Sequence, residues 1–394
     1  MKSFLNNNRA LLALWIVLLV IVIIKLVGIG SGSNNYLIFK FAFVHAWEGH
    51  TLYGRSPLEF LDKNHYGPLF SLVMFPFAVL PDKIGLALWL TALFAVLWGA
   101  IRALPLSEWQ KNVMALFIAN ELLTAGFNAQ FNIAVAAMIV YTYVLIHRRQ
   151  DFWASLPFLL ATFIKLYGVV ALAFFFFVKD KPRFMLGCVV WSIVLFLAPM
   201  AISSPQFVMQ SYQEWFLALV VKNAANVSLV SYQDISVMGF FRRLFENPNI
   251  PNLPFLLGGA IIFALPYLRW RHFSHPNFQL RIVASTLIFP VLFSSASEGS
   301  TYIIVFTGLA LWLVLQPTPW DKTVWTLVVL AIFFATLNST DLYPRAWRDF
   351  LRLHSIKAIP CLLIWLRIMY ELCVNDFSRA TTPGADYKPV SGQR

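Results

Sequence analysis

Charge is scarce in this chain. Asp, Glu, Lys and Arg make up 12% of its 394 residues, against about 25% in a soluble domain. An ordinary cytosolic enzyme is excluded on that ground. Cysteine is scarcer still: Cys188, Cys361 and Cys373 all lie in apolar stretches and have no metal-ligand spacing. Cys361 and Cys373 fall about 18 Å apart on one predicted helix and cannot pair, which excludes a disulfide-stapled secreted module. A dinucleotide loop is missing too, because Gly28-Ile29-Gly30 follows no strand. The seven histidines form no paired ligand set on one helix face, and no repeat suggests a transporter built from two halves.

What the chain has in excess is apolar surface. It is 59% hydrophobic and 16% aromatic, with a mean hydropathy of +0.69. Apolar runs of helix length recur from Leu11 to Cys373, which predicts an all-α, polytopic membrane bundle. The net charge of +12 is not a nucleic-acid signature. Its basic residues punctuate the apolar runs, as in His147-Arg148-Arg149, Lys179 to Arg183 and Arg269 to His272, which is the pattern of cytoplasmic loops. No basic stripe is interleaved with stacking aromatics, so nucleic acid is not an expected partner.

Full spans are expected at 10–29, 84–103, 112–126, 129–146, 184–203, 254–268, 281–296, 301–316, 322–338 and 356–374. The first reads as an uncleaved helix whose N-terminus is cytoplasmic. Two apolar stretches do not fit a full span. Residues 67–80 are too short, between Gly67-Pro68 and Pro81. Residues 152–178 lie between two basic clusters and carry Lys165 at their middle. If both clusters are cytoplasmic, 152–178 must enter and return as two half-helices with Lys165-Leu166-Tyr167-Gly168 at the tip. Irregular backbone at that depth persists only beside protein or a water-filled cavity. The expectation is therefore one membrane domain over 1–376, with outer loops at 30–66 and 204–253, an outward-facing cavity, and a polar cytoplasmic tail over 377–394.

Four polar constellations sit on the outer side of that arrangement. The first loop holds Asn34-Asn35, Glu48 and the run Glu59 to Pro68, where Asp62, Lys63, His65 and Tyr66 bring carboxylate, ammonium, imidazole and phenol together. A carboxylate there can take a proton from a sugar hydroxyl and Lys63 can balance a phosphate; the plainer reading is a helix cap with a snorkelling lysine. Lys165 is costly inside an apolar run and needs a partner, either an anion such as a lipid phosphate or Glu121 on a neighbouring helix. Gln130 and Asn132 offer amides to hydroxyls at the start of a span, or simply cap it. Glu298, in the turn Ser294 to Tyr302, is a cavity carboxylate or a helix-start charge.

Tyr66-Gly67-Pro68 with its half-span, Gln130-Phe131-Asn132, and Ile164-Lys165-Leu166-Tyr167 before a basic cluster together resemble glycosyltransferase family 87, over roughly residues 10–320. The resemblance implies a GT-C membrane enzyme that moves a hexose, mannose-like, from a polyprenyl-phosphate donor to a lipid or glycan acceptor at the outer face of a bacterial inner membrane. Members usually place a catalytic aspartate just after the first span. Here Asn34-Asn35 hold that place, and an amide cannot act as a base. Asp62-Lys63 also resembles the acidic-Lys stretch of lipid-A aminoarabinose transferases, another GT-C group. By that analogy Asp62 is the base and Lys63 meets phosphate, with Glu48 and Glu298 as further candidates. The substrate-side candidates are Lys63, Lys165, His65, Tyr66, Asn35, Gln130, Asn132, Tyr167 and Tyr302. No cofactor is assigned, and use of a divalent metal is left open. The alternative from another class is a transporter or flippase of a lipid-linked saccharide.

Overall fold

The computed structural model describes residues 7–30, 32–231 and 233–378. Residues 379–394, most of the expected tail, lie outside the described residues. The chain folds as α1 (Asn8–Ile23), α2 (Asn34–Glu48), α3 (Leu69–Ala78), α4 (Asp82–Ala103), α5 (Glu108–Phe117), α6 (Ala119–Phe127), α7 (Asn132–His147) and α8 (Asp151–Ile164). A 3-10 helix (Leu166–Phe177) precedes α9 (Lys181–Leu197), α10 (Pro205–Asn226), α11 (Val237–Leu244), α12 (Asn252–Ala264) and α13 (Pro276–Leu292). The last helices are α14 (Tyr302–Val314), α15 (Lys322–Ala331), α16 (Arg345–Leu353) and α17 (Ala358–Val374). No strand occurs among the described residues, so the all-α membrane bundle expected from composition is the architecture found.

The centre of the bundle is the hairpin of α13 and α14. Every residue of α14 is buried, and so is nearly all of α13. A helix apolar on every face belongs in the interior. The two approach closely at Gly308, where a Cβ would stand 2.6 Å from the Ala284 carbonyl oxygen. Their connection, residues 293–301, is thereby held at one end of the core. Helices on the outside leave apolar faces uncovered: Ile16, Val17, Val20 and Ile21 of α1 are all exposed. In a membrane those faces meet lipid.

Fewer helices cross at full length than the apolar runs predict. Among the described residues, three are long and apolar enough to span by themselves, Asn8–Ile29, Asp82–Ala103 and Lys181–Ala201. The others are shorter; α7 has 16 residues, about 24 Å at 1.5 Å per residue. The predicted span 112–126 is broken at Ile118 into α5 and α6. Beside the break, buried Glu121 accepts from Lys357 Nζ at 2.9 and 2.8 Å. Glu121 is therefore not the partner of Lys165. Both expected outer loops contain helices, α2 in the first and α10 and α11 in the second. A hydropathy window passes over them because polar residues interrupt each apolar face.

The hairpin expected over 152–178 is present. α8 ends at Ile164, Lys165 is extended (φ −144°, ψ 116°), and the 3-10 helix runs back from Leu166. The Asp180 amide donates to Asp151 Oδ2 at 2.9 Å, so both feet of the hairpin stand at one level. Its tip meets the other short segment. The Gly67 amide donates to the Ile164 carbonyl at 2.9 Å, and a Cβ on Gly67 would lie 1.9 Å from the Phe163 oxygen. Only glycine permits that approach.

At the opposite end of the core, Glu371 accepts from Arg281 Nε (3.1 Å), Arg367 Nε (3.0 Å), Trp312 Nε1 (3.2 Å) and Gln316 Nε2 (3.2 Å). Glu371→Leu strands a buried guanidinium and should cost about 3–5 kcal/mol, read as a lower unfolding temperature in detergent. Activity per folded molecule should be retained, because this network lies far from the cavity end. The hairpin makes a second prediction. Cysteines placed at Arg148 and Lys181 should label from the same side of sealed vesicles, and those at Gly49 and Gln213 from the other. Labelling of Arg148 and Lys181 from opposite sides would contradict the hairpin.

Candidate active site

The tips of the two short segments, the start of α7 and the α13–α14 turn surround a cavity of about 360 Å³. Asn35, Asp62, Lys63, His65, Tyr66, Gln130, Lys165, Tyr167 and Glu298 line it. These residues span much of the sequence and converge because four helix ends meet at one level. Three of the predicted residues lie elsewhere. Glu48 sits at the exposed end of α2 against His50 (3.3 Å), outside the cavity wall. Asn132 is fully buried behind Lys165. The Tyr302 hydroxyl is buried, donating to the Ile235 carbonyl at 2.8 Å. Asn132 and Tyr302 brace the wall.

One hydrogen-bonded chain runs through the cavity. Tyr66 donates to Gln130 Oε1 (2.9 Å), and Gln130 Nε2 donates to Glu298 Oε1 (3.0 Å). Burial and the nearby Glu298 push the Tyr66 phenol well above its ordinary value, so it stays a donor and sets the orientation of the amide. Ser300 Oγ also donates to Glu298 Oε1 at 3.0 Å, and Glu298 caps the following turn through Thr301. Glu298 is thus both things the sequence left open, a helix-start charge and a cavity carboxylate. Gln130 is aimed by Ala129, whose φ of 48° lies in the left-handed region that only about a few per cent of non-glycine residues adopt. Trp89 Nε1 holds that residue through its carbonyl at 3.0 Å.

Lys165 Nζ donates to Asn132 Oδ1 at 2.6 Å and lies over the rings of Tyr167 (5.0 Å) and Tyr66 (5.8 Å). Among the described residues, neither Lys165 nor Lys63 has a carboxylate within ion-pair distance. Asp62 stands at the mouth with its side chain 57% exposed, 3.9 Å from Lys222, and its Oδ1 accepts from the Lys63 amide at 2.8 Å. Three lysines therefore face two carboxylates. That imbalance suits an anion.

His65 lies between them. Both ring nitrogens are buried and have no hydrogen-bond partner among the described residues. Burial, followed by Lys222, Lys63 and Lys165, lowers its pKa from 6.5 to about 4 against the opposing pull of Asp62. The ring is neutral at pH 7, and its two nitrogens leave a donor and an acceptor without a protein partner beside the cavity.

The residues that take the catalytic-aspartate place are anchors. Asn34 Oδ1 accepts from the Leu61 amide (2.8 Å), and Asn35 Nδ2 donates to the Asn128 carbonyl (2.8 Å). Sequence reasoning missed Trp215, Lys222 and Asn223 of α10 and Gln233, all of which line the cavity. Trp215 Nε1 donates to the His65 carbonyl at 2.9 Å, fixing α10 across the mouth. Their signal was the helical period of α10, apolar outside and mixed inside. Among the described residues no group of three His, Cys, Asp or Glu side chains is arranged to hold a metal ion.

A helical membrane protein with a single-ended, lysine-rich cavity and an internal carboxylate is the class this geometry defines. Residues 64–295 match the model of glycosyltransferase family 87, and the chain belongs to that family. The match includes Tyr66, Gln130, Lys165 and Lys222; Asp62, Lys63, Glu298 and the helices after α13 lie outside it. No curated protein and no solved structure matches the chain. It is a glycosyltransferase.

The low pKa of His65 has a signed consequence. The unfolded chain takes up a proton near pH 6.5, the native one only near 4, so acidification through that window favours unfolding. The unfolding temperature of the wild type should fall more steeply from pH 7 to pH 5 than that of His65→Gln. Equal slopes would show that His65 is not held neutral.

Proposed function

We propose that this glycosyltransferase moves a hexose from a polyprenyl-phosphate donor to a lipid or glycan acceptor, with its cavity at the outer face of the cell membrane and both termini cytoplasmic. The observation that carries the reading is the pairing of unneutralised Lys63 and Lys165 with Glu298 in one cavity. A leaving phosphate needs the cations and an attacking hydroxyl needs the base. The helix across the mouth, α10, supports a lipid-linked donor. On α10, Trp215, Leu219, Lys222 and Asn223 face the cavity, while Phe216, Leu217, Val220 and Val221 are 52–67% exposed on the far side. An apolar face of that kind lies in lipid and lets a long isoprenoid tail stay there. Charge supports the proposed sidedness: α7 runs from the cavity to His147 and α8 returns from Asp151, so the basic clusters stand at the other end, the cytoplasmic one by the positive-inside tendency.

In the proposed step the acceptor hydroxyl attacks the anomeric carbon in line. The new C–O bond forms as the bond to the phosphate oxygen breaks, and polyprenyl phosphate leaves with the electron pair onto Lys63 and Lys165. Glu298 takes the hydroxyl proton. It is preferred to Asp62, which sequence reasoning ranked first, because Asp62 is largely in solvent at the mouth and beside Lys222. Gln130 and Ser300 hold Glu298 by one oxygen. Among the cavity-lining groups, the Asn35 amide oxygen and the Tyr167 hydroxyl oxygen, whose own proton goes to Ser294 Oγ, remain acceptors for sugar hydroxyls.

The test is release of polyprenyl phosphate from a panel of polyprenyl-phosphate sugars by protein in nanodiscs. Glu298→Gln should lower the rate at least about a hundredfold, with donor binding kept, while Asp62→Asn stays within about tenfold of wild type. Lys165→Met should weaken donor binding. If Asp62→Asn is dead and Glu298→Gln active, the base is Asp62. Failure to release polyprenyl phosphate from any donor sinks the donor class.

A further inference from the structure

Just past cavity-lining Gln233 the chain enters a buried charge cluster to which the proposed chemistry gives no task. Arg242 of α11 is 1% exposed, Asp234 is fully buried, and the two form an ion pair. Neither lines the lysine cavity. A buried pair adds little net stability over apolar packing of the same volume, because desolvation offsets the attraction. What it supplies is direction. We propose that Arg242 is a positioning residue for the transfer: two hydrogen-bonded lines leave its guanidinium and meet the turn that carries Glu298. This rests on the reading of Glu298 as the base.

The first line runs through Asp234. Its φ of 59° lies in the left-handed region, which Asp tolerates better than most residues. That bend sends its carboxylate to Arg242 and its carbonyl to Arg243 Nη1 (3.1 Å) and Ser355 Oγ (3.0 Å). Gly239 of α11 presses on the same carbonyl, and a Cβ there would stand 1.8 Å from its oxygen. With Asp234 fixed, Ile235 is held at both backbone groups. Its amide donates to the Ser297 carbonyl at 2.8 Å, and its carbonyl accepts from the Tyr302 hydroxyl at 2.8 Å. Ser297 immediately precedes Glu298.

The second line leaves the other arm of the fork. Arg242 Nη2 donates to Asn252 Oδ1, and Asn252 Nδ2 donates to Asn223 Oδ1 at 3.3 Å. A guanidinium has donors only, so it holds the Asn252 amide with its oxygen toward Arg242 and its amino group toward Asn223. Asn223 then presents its oxygen, to which the Ser295 hydroxyl also donates. The two lines therefore end at Ser295 and Ser297, on one short turn. Arg242 is itself fixed between them, its Nε donating to the Ile250 carbonyl at 3.0 Å. Gln130 and Ser300 hold the Glu298 carboxylate, and this arginine holds the backbone that bears it. A lysine would keep the charge beside Asp234 but lacks the planar fork that also reaches Asn252.

Arg242→Lys and Asn252→Ala both cut the second line. Asn252 is only half-buried at the start of α12, so its truncation leaves the ion pair in place and guards against a variant that fails to fold. Hydrogen exchange is followed by mass spectrometry on protein in nanodiscs, without substrate. Both variants should exchange at least about fivefold faster over 294–299 and at the wild-type rate in α14. Unchanged exchange in that turn overturns the proposal, whether or not any donor is turned over. With the panel of polyprenyl-phosphate sugars, Arg242→Lys should lower kcat at least about tenfold. Its KM and its affinity for farnesyl phosphate should stay within about threefold of wild type. Because Arg242 acts through Glu298, adding Arg242→Lys to Glu298→Gln should cost no further activity. A wild-type kcat in Arg242→Lys, or a loss in the double variant equal to the product of the two single losses, overturns the positioning role. An active Glu298→Gln counts against the base reading alone, since the exchange result does not depend on it.

Discussion

A backbone amide inside an apolar bundle has no water to bond, and at Gly67 it takes the carbonyl of Ile164 instead. That contact joins the ends of two segments too short to cross. Where they stop, the core contains irregular backbone, and the polar groups there must be satisfied by side chains drawn from elsewhere. Lys165 finds Asn132, Tyr66 finds Gln130, and Gln130 finds Glu298. The site is thus built on the places where helices end, as the chemistry of unpaired backbone requires.

The same geometry sets the electrostatics. A lysine held by an amide and two aromatic rings has no fixed counter-charge and can meet an incoming anion, whereas one held by a carboxylate is already neutralised. Lys165 is of the first kind and Lys357, clamped to Glu121, is of the second. A second cavity, of about 650 Å³, shares Glu298 with the first and has its arginines on the surface helix α16.

Much of this could be read from the order of residues. The short apolar stretch 67–80, and the lysine midway between two basic clusters, predict broken segments because a membrane-crossing run cannot be that short or that charged without reason. The convergence of Asp62, Lys63, Tyr66, Gln130, Lys165 and Glu298 on one side followed from parity of the spans. The helices hidden in the expected loops were harder. In α10 the lining residues Trp215, Lys222 and Asn223 alternate with apolar ones at helical spacing, and an average over the run cancels the pattern. Glu48 attracted attention for its chemistry alone and ended at an exposed helix terminus.

By itself the sequence determined the class of fold, two of the positions where it breaks, and the family, since each depends on hydropathy, on residues excluded from lipid, or on short local motifs. The tertiary structure alone decided which partner each buried charge has. Glu121 belongs to Lys357 and not to Lys165, and Glu298, not Asp62, lines both cavities. A pairing between residues more than a hundred positions apart is fixed by how helices pack, and packing depends on the shape of every side chain between them.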